Sequence, residues 1–173
     1  MFDEWKNIAP YIERVDEFAM KEQVITKVSN KSLEKVANAI STIPKNKKFL
    51  RKAEKLISER KKMFFDLKTL DWAMGELLAY GTLLIEGHDI RLSGQDVERG
   101  TFSHRHAILV EEEFEEEVIL LNKINQEQGN FRVYNSLLSE YGVLGYDYGY
   151  SMASPNSLTI WEAQFGDFAN GAQ

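Results

Sequence analysis

The stretch DWAMGELLAYGTLLIEGHDIRL, residues 71–92, decides the fold of this 173-residue chain. Asp71 is a residue type that caps helix N-termini, and the largely apolar residues 72–86 follow it directly. Gly87 is typical of a helix end. Residues 88–92 then predict a short strand. A capped helix that passes through one glycine into a strand indicates an α/β arrangement.

The same alternation continues downstream. Short strands are predicted over 131–134 and 157–161, and a helix from residue 135 or 136 to about 152 separates them. Strands that alternate with helices favour an α/β fold with a largely parallel sheet. A further helix is predicted from near Ala169, with no visible cap before the sequence stops. We therefore expect a truncated domain, that is, a fragment.

Residues 1–70 have a different character, typical of helices and connectors. Ser32 is a candidate N-cap for a helix whose apolar residues recur at helical spacing: Leu33, Val36, Ala37 and Ile40. Asn46 is a candidate N-cap for a second helix over 47–65, which has an apolar stripe and a face of lysines and arginines. We expect that basic face to be a solvated surface, with an acidic docking partner or a phosphate contact as alternatives.

Charge and glycine content change together near residue 70. Residues 21–70 contain 14 Lys+Arg and 5 Asp+Glu, a net charge of +9, whereas residues 71–173 contain 5 and 17, a net charge of −12. None of the 11 glycines precedes Gly75. We therefore predict a helical connector over 1–70 and a separate α/β domain over 71–173.

Composition excludes several classes of protein. The chain is 43% hydrophobic and 28% charged, as is usual for a globular domain. It has no cysteine, which excludes disulfides and thiol chemistry. It has no apolar stretch near the roughly 20 residues that span a bilayer, so no membrane partner is expected. The net charge of −6 argues against a nucleic-acid partner.

The helix predicted before residue 152 carries the first candidate for chemistry. Gly142, Gly145 and Gly149 lie within it, although glycine costs about 1 kcal/mol inside a helix. Either close helix packing or close approach of the backbone to a ligand would explain them. Glu140 lies in the first turn, where a carboxylate can complement the helix dipole or serve as an acid for proton transfer.

The loop over 93–106 carries the second candidate, because it is dense in polar groups. His104 and His106 share the spacing of two metal ligands on a strand, but no third ligand has suitable local spacing, so we predict no metal site. Contacts to a substrate or cofactor are expected if the loop lines a cleft, and a plain surface turn is the alternative.

Other motifs give weaker indications. The run EEEFEEE, residues 111–117, holds six carboxylates, so we expect a solvated segment, and it lacks the calcium-loop pattern. The phosphate-binding patterns GxxxxGK[ST] and GxGxxG are absent. The aromatic and polar residues from Thr159 onward follow a predicted strand, and open α/β sheets bind ligands at the carboxyl ends of their strands.

Four stretches together resemble the 2-oxoglutarate dehydrogenase family, in its decarboxylating component. They are LDWAMGE (70–76), RLSGQDVERGTFSHRHA (91–107), NSLLSEYGVLG (135–145) and WEAQFGDFANGAQ (161–173). The resemblance covers about 71–173. It implies a transketolase-like fold in which residues 71–173 form part of a pyrimidine-binding domain for thiamine diphosphate.

The resemblance also implies roles for individual residues. Glu140 should hydrogen-bond the aminopyrimidine ring and so drive the proton transfer that activates the cofactor. Phe168 falls where the family places an aromatic ring against the pyrimidine, and Leu138 where the backbone contacts it. His104, Gln95 and Asp96 are weaker candidates for the wall of the cleft.

The resemblance implies a homodimer, because this family completes each cofactor site with a diphosphate-binding domain of the other subunit. The Gly-Asp-Gly motif and following Asn that bind Mg²⁺ and diphosphate are absent here, so we expect the isolated chain to be inactive. The implied reaction is oxidative decarboxylation of 2-oxoglutarate in the tricarboxylic acid cycle, with succinyl transfer to a lipoyl-bearing succinyltransferase.

Two alternatives to this interpretation stay open on the sequence. One is a close paralogue that acts on 2-oxoadipate, and the other is a non-catalytic assembly module that docks through its basic helices. The implied location is the cytoplasm of a bacterium, or the mitochondrial matrix if the protein is organellar.

Overall fold

The computed structural model describes residues 25–137 and 139–164. The α-helices are α1 (Asn30–Ile40), α2 (Arg51–Lys61), α3 (Trp72–Ile85) and α4 (Glu140–Ala153). A π-helical turn, Lys62–Leu67, continues α2, and a 3₁₀ turn spans Leu120–Lys123. The strands are β1 (Ile90–Gly94), β2 (Ile108–Val110), β3 (Glu117–Ile119), β4 (Phe131–Asn135) and β5 (Leu158–Glu162).

Three of the strands form a parallel sheet with β1 in the centre, in the order β4-β1-β5. The pairing is in register to the last residue, so that Gly94 lies beside both Asn135 and Glu162. The chain crosses from β4 to β5 through α4 and passes over β1. The predicted α/β fold with a parallel sheet is confirmed, and all three carboxyl ends meet at one edge.

Local signals account well for α3. The Asp71 carboxylate accepts a hydrogen bond from the Met74 N–H at 2.7 Å, as expected of an N-cap. The helix ends at Ile85, one residue earlier than predicted, and Gly87 follows with φ +90°, a conformation that favours glycine. The helix is apolar on most sides because it is enclosed between α1 and the rest of the domain.

The main core joins the two parts that composition separates. Three buried residues of α1, Val36, Ala37 and Ile40, belong to one apolar cluster with the buried residues of α3 and the sheet. Gly81 of α3 lies so close to Val36 that a Cβ there would be 2.2 Å from Val36 Cγ1. The helical connector therefore packs as part of one core, and a domain boundary at residue 70 stays a prediction.

Three helix starts differ from the sequence prediction. The cap of α1 is Ser29 rather than Ser32, and its hydroxyl accepts from the Ser32 N–H at 3.1 Å. The second helix starts at Arg51 because Phe49 is extended, forms an antiparallel bridge with Glu111 and is buried in a second cluster.

The start of α4 is also later than predicted, at Glu140 instead of residue 135 or 136. The reason lies in the sheet: β4 runs to Asn135, and the Ser136 N–H donates to the Gly94 carbonyl at 2.8 Å, which extends the pairing. Sheet hydrogen bonds therefore prevail over helix propensity at this point.

Residues 112–117 of the acidic run are exposed, as predicted, and Glu111 is the exception. The run forms the turn of the hairpin β2–β3, which was not predicted. Glu111 is 4% exposed, and its carboxylate accepts from the Phe114 N–H at 2.6 Å, which lowers its pKa. Lys47 pairs with Glu116, and Lys48 with Glu112 at 3.2 Å. Lys47 and Lys48, which precede α2, thus contact the acidic run, whereas Arg51, Lys52, Lys55 and Lys61 of α2 are exposed, as expected of a solvated face.

No helix in the described part of the chain is both long and apolar enough to cross a membrane.

Candidate functional site

The carboxyl edge of the parallel sheet brings three connections together: the loop 95–107 after β1, the start of α4 after β4, and the residues after β5. Gln164, which follows β5, donates from Nε2 to the Gln95 carbonyl at 3.2 Å and to Thr101 Oγ1 at 2.6 Å. The connections after β1 and β5 are therefore fastened to each other at this edge.

The loop 95–107 has a tight backbone. Asp96, Ser103 and His106 have φ of +54°, +55° and +41°, which is uncommon for residues other than glycine. Gly100 has φ +82°, and a Cβ there would lie 2.5 Å from the His104 ring. The His104 ring lies directly over Gly100, so a side chain at position 100 would collide with it and the loop requires a glycine there.

Arg105 anchors the loop from inside, with only 1% of its surface exposed. Its guanidinium donates to Glu76 of α3 at 2.6 and 3.2 Å, to the Val97 carbonyl at 2.7 Å and to Glu162 at the end of β5. Burial by itself would lower the pKa of Arg105, but the hydrogen bonds to the two carboxylates raise it. One charged side chain thereby connects the loop, α3 and the sheet.

The predicted cleft residues occupy different positions in this loop. His104 Nδ1 and Gln95 Nε2 are buried and have no hydrogen-bond partner among residues 25–137 and 139–164. Asp96 instead accepts hydrogen bonds from Arg99 that lower its pKa, so it stabilises the turn. His106 is half-buried, and burial together with the neighbouring cation of Arg60 lowers its pKa.

Glu76, His104 and Glu162 place potential ligand atoms within 4.8 Å of one another. Three such groups can bind a cation, but the Arg105 guanidinium already contacts both carboxylates. A divalent ion would have to displace or adjoin this buried positive charge, which Coulomb repulsion opposes. We therefore interpret the cluster as the anchorage of Arg105.

Glu140 is the first residue of α4 and is half-buried at the carboxyl edge. A cavity of about 480 Å³ lies between this helix and the sheet. Its lining residues are Arg91, Ser93, Tyr134, Asn135, Ser136, Leu137, Ser139, Gly142, Val143 and Tyr146. Ser139 and Gly142, next to Glu140 along the helix, thus border the cavity, while Leu138 and Phe168 lie outside the described residues.

A polar tether holds α4 against the sheet. The Asp147 carboxylate is buried and accepts from Arg91 Nε at 2.8 Å and from the Ser93 hydroxyl. The Arg91 guanidinium is also surrounded by the rings of Tyr134, Tyr146 and Tyr150, at 4.8–5.2 Å from their centroids. These contacts combine an ion pair with cation–π attraction.

Sequence analysis did not identify this tether. Only Arg91 lay on the predicted strand 88–92, because Ser93 was assigned to the loop 93–106, whereas β1 includes both residues. The signal available was a single arginine on a strand predicted to be parallel, since such strands are usually apolar on both faces and buried polar groups require partners.

The glycines of α4 meet little that would explain them. A Cβ at Gly145 or Gly149 would have no described atom within 4 Å, and at Gly142 it would meet only Ser139 of the same turn, at 3.1 Å. Close packing inside the described part of the chain therefore does not account for them. Among the described residues, the start of α4 thus lies next to a cavity and carries a helix face with exposed glycines, while Glu140 is not part of the cavity lining.

The sequence is similar to known proteins over most of its length. A family model described as "Transketolase, pyrimidine binding domain" matches residues 68–173. The chain is 48% identical over 148 residues to "2-oxoglutarate dehydrogenase E1 component" of Brucella ovis, and 49% identical over 148 residues to "2-oxoglutarate dehydrogenase, mitochondrial" of Schizosaccharomyces pombe. Each alignment covers 86% of this chain and 15% of the relative, so the chain spans about one seventh of the relatives' length.

Proposed function

We propose, on the premise that this chain belongs to the family of transketolase pyrimidine-binding domains, that it forms the pyrimidine-binding part of a 2-oxoglutarate dehydrogenase E1 component. The similarity to relatives with that name extends over 86% of the chain and so includes part of the helical lead-in. Family membership confirms the resemblance carried by the four sequence stretches.

The proposed reaction of the whole protein is the thiamine-diphosphate-dependent oxidative decarboxylation of 2-oxoglutarate, with succinyl transfer to lipoyl groups in the tricarboxylic acid cycle. The names of the relatives favour this substrate over 2-oxoadipate, and they favour an enzyme over a non-catalytic assembly module. The cofactor, when bound, would supply the electron sink for the decarboxylation.

Glu140 carries the proposed role of the acid at the pyrimidine ring. The observation that supports it is position: Glu140 begins α4 at the carboxyl edge of the parallel sheet, where open α/β sheets bind ligands. Ser139 and Gly142, on either side of Glu140 in the chain, line the adjoining cavity, whereas Glu140 itself is not one of its lining residues. A carboxyl group there can donate or accept a proton at a ring nitrogen.

The remaining site residues belong to the same proposal. Leu138 would offer its backbone to the ring and Phe168 its aromatic side chain, whereas His104 and Gln95 would form the wall opposite α4. Asp96 would act on that wall only through the turn that it shares with Arg99, because its carboxylate is engaged there.

The proposal includes partners that complete the site. Diphosphate and Mg²⁺ ligands would come from outside residues 1–173, since the sequence contains no Gly-Asp-Gly motif. We propose a homodimer that contacts a lipoyl-bearing succinyltransferase. The proposed location is the bacterial cytoplasm or, as for the relative named mitochondrial, the mitochondrial matrix.

The test uses the full-length protein with Glu140→Gln, and Glu127→Gln as the matched control on an exposed turn. Loss of a proton-transfer group should lower cofactor-dependent release of carbon dioxide from 2-oxoglutarate by about 100-fold or more. The control should keep the wild-type rate, and circular dichroism should show an unchanged fold.

Full activity of Glu140→Gln would contradict the role of this residue. A wild-type protein that turns over 2-oxoadipate faster than 2-oxoglutarate would contradict the proposed substrate, and a wild-type protein inactive on both would favour the assembly module.

A further inference from the structure

The loop 95–107 is supported from the helical lead-in by a single buried cation. Arg60, in the last turn of α2, has 5% of its surface exposed. Its Nη2 donates to the His104 carbonyl at 3.2 Å and also to the Arg105 carbonyl. Arg60 lies outside the range 68–173 that the family model matches, so the pyrimidine-binding domain as a family does not account for it.

The backbone of the loop leaves the carbonyls of His104 and Arg105 available to Arg60. The N–H groups of Arg105 and His106 both donate to the Arg99 carbonyl at 3.0 Å, which closes the turn and leaves the next carbonyls facing Arg60. Buried carbonyls require donors, and the two N–H bonds of Nη2 allow this one nitrogen to donate to two neighbouring carbonyls.

Holding this cation inside the fold is unfavourable by itself. Burial lowers the pKa of Arg60 to about 10, although Asp71 and Glu76 offset part of that effect. The other cations of α2 lie on its exposed face, in contact with water. A buried arginine at this position therefore needs a compensating interaction, and the two loop carbonyls provide it.

The contacts of Arg60 continue into the candidate site. Arg105 is one of the two residues whose carbonyls accept from Arg60, and its side chain binds Glu76 of α3 and Glu162 at the end of β5. The other residue, His104, has its ring over Gly100. Helix α2, the loop and the carboxyl edge of the sheet thus form one connected network.

We propose that Arg60 is a positioning residue, which fixes the loop 95–107 and with it His104 and Gln95 at the carboxyl edge. The helical lead-in is then part of the site, since it fixes a loop at the carboxyl edge of the sheet. The consequence for catalysis rests on the proposed function, whereas the consequence for the loop follows from the contacts alone.

The experiment compares Arg60→Met with Lys61→Met in the full-length protein. Lys61 is the next residue of the same helix and is exposed, so its variant removes one charge without touching the loop. Amide hydrogen exchange, followed by mass spectrometry, measures each segment separately. We expect exchange over 95–107 to accelerate about tenfold or more in Arg60→Met, while Lys61→Met stays at the wild-type rate.

Kinetics form the second measurement. Displacement of the cleft wall should lower kcat/KM for 2-oxoglutarate about tenfold in Arg60→Met, because small misplacements at a reacting site are costly. Arg60→Lys should restore part of this loss, since its ammonium can also donate to carbonyls, but the lysine side chain is one atom too short to place a nitrogen where Nη2 lies. A residue important only for global stability would not show this graded rescue in the folded enzyme.

Unchanged exchange over 95–107 in Arg60→Met, or acceleration spread evenly over the chain, would overturn the inference. If Arg60→Met does not fold, Arg60→Lys replaces it, and an exchange rate over 95–107 equal to that of Lys61→Met would overturn the inference equally. Failure of the proposed function would appear separately, as a wild-type protein without 2-oxoglutarate turnover whose loop still depends on Arg60.

Discussion

Helices α3 and α4 have the same length, 14 residues, and opposite surroundings. Seven residues of α3 are buried: Met74, Leu77, Leu78, Tyr80, Gly81, Thr82 and Leu84. In α4 Asp147 is buried, whereas Tyr148 is 67% exposed and Tyr141 and Tyr146 are exposed as well. One helix is held by apolar packing and the other, within the described residues, chiefly by a polar tether.

The glycines of the two helices have different surroundings. Gly81 of α3 is required by Val36, which occupies the space that a side chain would need. Gly145 and Gly149 of α4 face open space among the described residues. The comparison teaches that a glycine in a helix indicates close approach only when the approaching group is known, as it is for Gly81.

The largest expected difference concerns the packing of the two helices. Leu84→Ala in α3 should lower the free energy of unfolding by about 2–5 kcal/mol, because it leaves a cavity in the core. Tyr148→Ala in α4 should change it by no more than about 0.5 kcal/mol, as for other exposed positions. Urea denaturation of the chain measures both, and similar losses in the two variants would break the comparison.

A second prediction tests the tether of α4. Asp147→Asn should cost about 2–3 kcal/mol, because it weakens a buried charged hydrogen bond and leaves Arg91 without its counter-charge. Hydrogen exchange should accelerate over residues 140–153 and stay unchanged in α3. Asp66→Asn, on an exposed position, is the control. Equal exchange in the two variants would show that α4 does not depend on this contact.

The smallest effects concern the glycines and sharpen the comparison most directly. Gly81→Ala should destabilise the chain by about 1–3 kcal/mol, since a Cβ would overlap Val36. Gly149→Ala should stabilise it by up to about 1 kcal/mol through helix propensity. Thermal denaturation compares the pair, and a destabilising Gly149→Ala would mean that another segment packs against that face.

Local signals in the sequence predicted much of the fold. Asp71 caps α3 and Gly87 follows its end, as expected, because both effects depend on a few neighbouring atoms. The start of α4 was placed too early, since the hydrogen bond from Ser136 to Gly94 joins residues 42 positions apart in the chain. The hairpin around the acidic run was missed for a similar reason, because its buried residues Leu109 and Val118 pack against Phe49 and Ile57, which are distant in the chain.

The candidate site divides in the same way. Glu140 could be singled out from its motif and its place in a first helical turn, and its role stays a proposal. The networks around it could not be predicted, because nothing in the local sequence distinguishes Arg60, Arg105 and Asp147 from exposed charged residues. Whether such residues are buried depends on partners distant in sequence.

By itself, then, the sequence determined the α/β class, the parallel strands, the family resemblance and the residues able to carry chemistry, because these follow from local propensity, periodicity and motif. Only the tertiary structure decided that the helical lead-in shares the core, that Arg60 contacts the loop 95–107, and that, among residues 25–137 and 139–164, α3 is enclosed while α4 is largely exposed. The physical reason is that burial and charge pairing are properties of atoms brought together from distant positions, which no local pattern specifies.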